Sequence, residues 1–119
     1  MKRGRKSKEN GGGDCYEAAG NLIMSPKYKD FILVHGQVTG QGAIDGVKFG
    51  HAWLEDSDGM VYDYSNGREI ILPKQIYYLI GKIEDKKPLL YKYTAEEARN
   101  KMAKSMHYGP WDLKTETGL

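Results

Sequence analysis

The segment that most constrains this chain is a turn between two β-rich runs. Asp56-Ser57-Asp58-Gly59 separates residues 48–55 from residues 60–65, and Asx residues followed by glycine favour a tight reversal. The two runs are therefore expected to pair as an antiparallel hairpin. Along the first, His51, Trp53 and Glu55 share one face and Ala52 and Leu54 the other. A hairpin loop of three or five residues keeps the registers in phase and brings Asp63 opposite or diagonal to His51, whereas a four-residue loop would put them on opposite faces.

Further strands are expected over residues 31–38 and 88–93, the latter with Leu89, Tyr91 and Tyr93 on one face. Residues 69–72 extend the sheet. Gly36, Gly40, Gly42, Gly46 and Gly50 mark a loop or irregular hairpin between the first two strands. Three helices complete the pattern. Asp14 stands as an N-cap with Glu17 three positions on, before Cys15, Ala18, Ala19, Leu22 and Ile23 at helical spacing, and Pro26 stops the run. Pro73 suits the first position of a second helix carrying Ile76, Leu79, Ile80 and Ile83. Thr94 and Glu97 form a capping box ahead of Ala95, Ala98, Met102 and Met106, with Gly109-Pro110 beyond. A helix, several strands, a short helix, a strand and a helix make an α+β fold with an antiparallel sheet.

At 119 residues the chain fits one domain, expected over 14–119. Residues 1–13 hold almost no apolar side chain and read as a flexible arm. Residues 1–9 carry five basic side chains and one acid, a net +4 against +2 for the whole chain, so the remainder is at −2. A nucleic-acid-binding body would be basic. Contact with nucleic acid would therefore fall to residues 1–9, and a solvated arm is the preferred reading. A lone cysteine excludes a disulfide framework and Cys-rich zinc modules. No apolar run nears the ~20 residues that cross a bilayer. The expectation is a soluble cytoplasmic protein with no membrane association, no metal and no cofactor.

A lone cysteine on an amphipathic helix is ordinarily an inert core thiol. Cys15 is set apart by its place in a first helical turn, where backbone amides and the macrodipole favour negative charge, and by the glycines before it, Gly13 included, which let a substrate backbone approach. With His51 and Asp63 in phase across the hairpin, an imidazole would have a carboxylate on one nitrogen and a thiol on the other. That is the arrangement of a nucleophile with its base and the base's orienter.

Gly13-Asp14-Cys15 opening a helix, Gly50-His51-Ala52-Trp53-Leu54-Glu55, and Val61-Tyr62-Asp63 with a Ser-containing turn together resemble the transglutaminase-like branch of the papain-like cysteine protease superfamily. The resemblance covers residues 13–66. It implies a papain-like core and acyl transfer through a thioester on a protein or peptide substrate. Cys15 would be the nucleophile, His51 the general base and then acid, and Asp63 the orienter. Papain-like proteases often place a Gln upstream of the nucleophile to bind the oxyanion; here that segment offers only Asn10. The Cys15 amide could supply one donor, and Gln37 a second if its strand lies alongside. Trp53 is a further substrate-side candidate, although a strand aromatic reads first as packing.

Two other readings remain open: an inert papain-like scaffold that binds a protein, and a basic arm tethered to nucleic acid. The small size and the Cys-His-Asp set would also suit a phage- or plasmid-encoded protein. His35 reads as a satisfied core or surface histidine, and His107 as a helix-end residue. Tyr77-Tyr78 and Tyr91/Tyr93 could form a stacking platform, with packing as the default. Trp111 could pin down a returning C-terminal segment, and specificity would reside in residues 39–50, 66–72 and the C-terminal half.

Overall fold

The computed structural model describes residues 14–114. The arm at 1–13, with Asn10 and the candidate Gly13, lies outside the described residues. The elements are α1 (Cys15–Met24), β1 (Ile32–Thr39), β2 (Lys48–Glu55), β3 (Met60–Asp63), β4 (Ile70–Pro73), α2 (Lys74–Gly81), β5 (Leu90–Thr94) and α3 (Ala95–Ser105), with short 3-10 turns between some of them. The strands form one antiparallel sheet in the order β4-β3-β2-β1-β5. The fold class is thus α+β, with the cysteine-bearing helix packed on an antiparallel sheet and a helix near the C-terminal end.

Alternation along the strands gives the sheet two buried faces. Leu33, Ala52, Leu54 and Tyr93 meet Cys15, Ala19 and Ile23 of α1 and Ala95, Ala98 and Met102 of α3. On the opposite face Val34, Trp53, Val61, Ile83 and Leu90 pack together, with Tyr77 and Tyr78 of α2 against them. Trp53 and Leu54 therefore separate to opposite faces as their alternation requires.

The hairpin that organises the site closes in phase. β2 and β3 leave residues 56–59 between them, yet Asp56 N–H donates to the Met60 carbonyl at 3.0 Å, so the innermost pair encloses three residues. Gly59 takes the left-handed conformation such a loop needs (φ +82°). The Asp56 carboxylate accepts from the Asp58 and Met60 amides at 2.9 and 3.0 Å and from the Tyr62 hydroxyl at 2.9 Å.

Several local expectations need correction. Asp14 occupies the N-cap position of α1 but makes no capping bond; its carboxylate accepts from the Asn66 amide at 2.7 Å, so Glu17 closes no capping box. Pro73 ends β4 and caps α2 rather than opening it. In β5 Tyr91 and Tyr93 share the face towards α1 and α3 as expected, but Leu89 precedes the strand and Leu90 packs on the opposite face. Met106 is exposed at a left-handed C-cap (φ +64°) rather than on the apolar face of α3. The Thr94–Glu97 capping box forms as expected.

Candidate active site

Sheet pairing builds the site. Between β2 and β3 the register runs only through Glu55↔Val61 and Leu54↔Tyr62. Beyond it β2 stays paired with β1, Gly36 lying opposite His51, while β3 stays paired with β4 as far as Asp63↔Ile70. The two strands fork. His51 and Asp63 face each other across the fork, and the N-terminus of α1 packs against both β2 and the 3-10 turn Ser65–Gly67 that follows β3. The Asp14–Asn66 hydrogen bond ties that turn to the helix immediately before Cys15.

His51 Nε2 lies 2.9 Å from Asp63 Oδ2. Cys15 lies near enough to the same imidazole to act on its protonation, and with Nε2 engaged by the carboxylate, Nδ1 is the nitrogen left for the sulfur. Burial by itself would lower the His51 pKa, but the hydrogen bonds and charges of Asp63 and Cys15 outweigh it and push it up to about 10. Asp63 is buried, which opposes ionisation. Its bonds to His51, Tyr77 and Ser65 nevertheless hold its carboxyl well below the usual range. All its acceptor directions are in use: Oδ2 also takes the Tyr77 hydroxyl at 2.6 Å, and Oδ1 takes the Ser65 amide at 3.1 Å and hydroxyl at 2.8 Å. The carboxylate, carried by β3, is held from the following turn and from α2, which fixes the imidazole it orients.

The structure thus joins His51 to Asp63 by a hydrogen bond and brings Cys15 near the same imidazole. Trp53 is not at a substrate-facing surface: it is fully buried behind His51, ring centroids 6.1 Å apart, and its indole N–H donates to the buried Glu55 at 3.0 Å. Glu55 also accepts from Tyr78 and lies 3.7 Å from Lys74 Nζ, so Trp53 and Glu55 form a structural network under the site. Gln37 lies alongside, opposite Gly50 on the neighbouring strand and half-buried. Its backbone N–H donates to the Leu89 carbonyl at 2.9 Å.

Residues beyond the expected triad emerge. Tyr77 and Ser65 both hold Asp63. The Asp-x-Ser spacing carried a local turn signal for Ser65; Tyr77 comes from a helix that only the tertiary fold brings near. His35 departs from expectation in another way. It is fully buried among Tyr16, Tyr93 and Trp111, with ring centroids 4.9–5.2 Å away, and among the described residues neither ring nitrogen has a hydrogen-bond partner. Burial, only partly offset by the nearby Asp112, holds its pKa down to about 3, so the ring is neutral. His107 lies beyond α3 and its Nδ1 accepts from the Gly109 amide at 3.0 Å.

A groove of about 380 Å³ opens onto the His51–Asp63 side of the relay. Its walls are mostly apolar, with Val38, Ile44, Ile70, Leu72 and Ile80 in the lining together with Arg68. Cys15 itself is buried, while the His51 side chain is 13 % exposed, so the imidazole is what the groove reaches. Among the described residues no group of three or more His, Cys, Asp or Glu could hold a metal ion, and no helix is long and apolar enough to cross a membrane.

Comparison with known proteins finds no matching family model, no matching curated protein and no matching solved structure. The functional reading therefore rests on the site.

Proposed function

We propose that this protein is a cysteine hydrolase or acyltransferase that acts on an amide or peptide bond through a thioester on Cys15, on a core of the papain-like, transglutaminase-like kind. One observation supports the reading: buried Cys15 stands near the His51 imidazole, whose Nε2 is held by an Asp63 carboxylate that is itself fully hydrogen-bonded. Inert core cysteines have no reason to sit on an oriented imidazole.

In the first half-reaction the Cys15 sulfur attacks the substrate carbonyl carbon, its proton residing on His51. The developing oxyanion accepts a hydrogen bond from the Cys15 backbone N–H, one of the unpaired donors at the start of α1. The C–N bond then breaks, the leaving amine takes the proton from His51, and the acyl group remains on sulfur. Water, or a second amine, returns a proton to His51 as it attacks the thioester, and the thiol is regenerated. Asp63 stays ionised throughout and fixes which imidazole nitrogen faces the sulfur.

Alkylation of the full chain with iodoacetamide at neutral pH tests this. Wild-type Cys15 should react faster than a free model thiol, and His51→Ala should remove the enhancement with an unchanged circular dichroism spectrum. Ordinary reactivity in wild type would favour an inert scaffold that binds a protein.

A further inference from the structure

The groove beside the relay has a direction. Its lining includes His51 and Asp63 but not Cys15. In the proposed reaction the imidazole delivers its proton to the leaving amine, so this groove lies on the leaving-group side of the scissile bond. Its lining shows what a leaving group would meet. Val38, Ile44, Phe49, Ile70, Leu72 and Ile80 make it apolar, and its volume falls in the range of small-ligand sites.

The polar side chains in the lining are Thr39, Gln41, His51, Asp63, Tyr77 and Arg68. Arg68 follows the turn at residues 65–67, is exposed, and makes no ion pair among the described residues. It lies near enough to Tyr77 for its charge to act on that hydroxyl, which is the group that holds Asp63. Among the described residues the only carboxylate in the lining, Asp63, is already committed to His51, Tyr77 and Ser65. An unpaired guanidinium beside an apolar groove matches an anionic group attached to an apolar body, and its planar fork matches a carboxylate.

We infer that this groove takes, as leaving group, a single apolar amino acid bearing a free α-carboxylate, with its side chain against Ile70, Leu72 and Ile80 and its carboxylate on Arg68. The substrate class is then a peptide or acyl-amino acid ending in an apolar residue, and the scissile bond is the last amide. On cleavage the C–N bond breaks, the nitrogen gains the proton from His51, and the free amino acid departs as the acyl group stays on Cys15. The inference rests on the acyl-transfer reading for its direction, and Arg68 is its specificity-determining residue.

Binding to the full chain carrying Cys15→Ser, which cannot form the thioester, separates the two ideas. The probes are N-acetylglycyl-L-leucine and its C-terminal amide, followed through the methyl resonances of Ile70, Leu72 and Ile80. The free acid should bind about tenfold more tightly than the amide, the worth of one charge-assisted hydrogen bond. Adding Arg68→Gln should erase that preference while the amide binds as before. Equal binding of acid and amide, a preference that survives Arg68→Gln, or no response of the groove methyls to either probe would each overturn the inference. Alkylation of Cys15 in the otherwise unaltered chain reports on catalysis separately. A reactive thiol without carboxylate preference sinks the subsite alone, and an unreactive thiol with Arg68-dependent binding sinks the thioester alone.

Discussion

Replacing Asp63 with Asn is the most informative single perturbation, because the side chain keeps its size and loses only its charge and half its acceptors. In the native site Oδ1 accepts two bonds from Ser65, and Oδ2 accepts from His51 Nε2 at 2.9 Å and Tyr77 at 2.6 Å. An Asn would keep its carbonyl oxygen on Ser65 and present its NH2 to two donors. The imidazole then has to release its Nε2 proton and carry the remaining one on Nδ1, facing the sulfur, which is the wrong tautomer for a base. The His51 pKa is raised from 6.5 to about 10, a preference for imidazolium on the order of 5 kcal/mol shared between Asp63 and Cys15. Losing the carboxylate charge should lower that pKa by about 1–3 pH units. The assay is an NMR titration of the His51 ring signals in wild type and Asp63→Asn, with alkylation rates on the same samples. Wild type should titrate far above 6.5, and the variant should titrate lower and lose the rate enhancement. An ordinary wild-type titration near 6.5, or one that the substitution leaves unmoved, would refute the relay.

Two further predictions concern the sheet. Buried His35 stays neutral to about pH 3, whereas the unfolded chain takes up that proton below about 6.5, so its contribution to stability is lost as pH falls through that window. His51 has the opposite sign: its contribution is complete below about 6.5 and lost as pH rises towards 10. The combined contribution of the two histidines should therefore peak near pH 6.5. His35→Leu should remove about 2–3 kcal/mol from the loss between pH 6.5 and 4.5. Urea denaturation at the two pH values checks it, since any packing defect is common to both, and an undiminished loss would count against a neutral His35. Gly36 faces His51 on β1, and an added Cβ there would come within 2.7 Å of the Trp53 ring. Gly36→Ala should cost about 1–3 kcal/mol and slow Cys15 alkylation by displacing the ring behind His51. A thermal melt and the iodoacetamide rate read the two effects, and an unaltered rate would separate Trp53 from the site.

Much of this architecture was legible locally. Asp56-Ser57-Asp58-Gly59 announced the hairpin, because turn chemistry is a short-range rule, but left the phase of His51 and Asp63 to the loop closure, which the Asp56–Met60 hydrogen bond decides. Thr94 and Glu97 likewise announced α3. Asp14 misled: it has the right residue type for a cap, but the Asn66 amide, 52 positions away, competes for its carboxylate. Long-range packing also decided the residues the pattern left open. Trp53 and Tyr77 look alike as strand and helix aromatics, yet one is buried beneath the site and the other hydrogen-bonds its carboxylate. Polar residues inside apolar runs give no local sign of whether they are satisfied, so nothing around His35 foretold two ring nitrogens without a partner among the described residues. The groove depends on β4, α2 and the loop after β1 meeting at the fork, a convergence with no motif.

The most direct test of the central claim is to look for the acyl-enzyme itself. Full-length protein incubated briefly with p-nitrophenyl acetate at neutral pH, quenched in acid and mapped by peptide mass spectrometry, should carry an acetyl group on Cys15 as a hydroxylamine-sensitive thioester. It should disappear over time in wild type and fail to form at a comparable rate in His51→Ala. Absence of acetyl on Cys15, or equal acetylation with and without the His51 imidazole, would contradict the account.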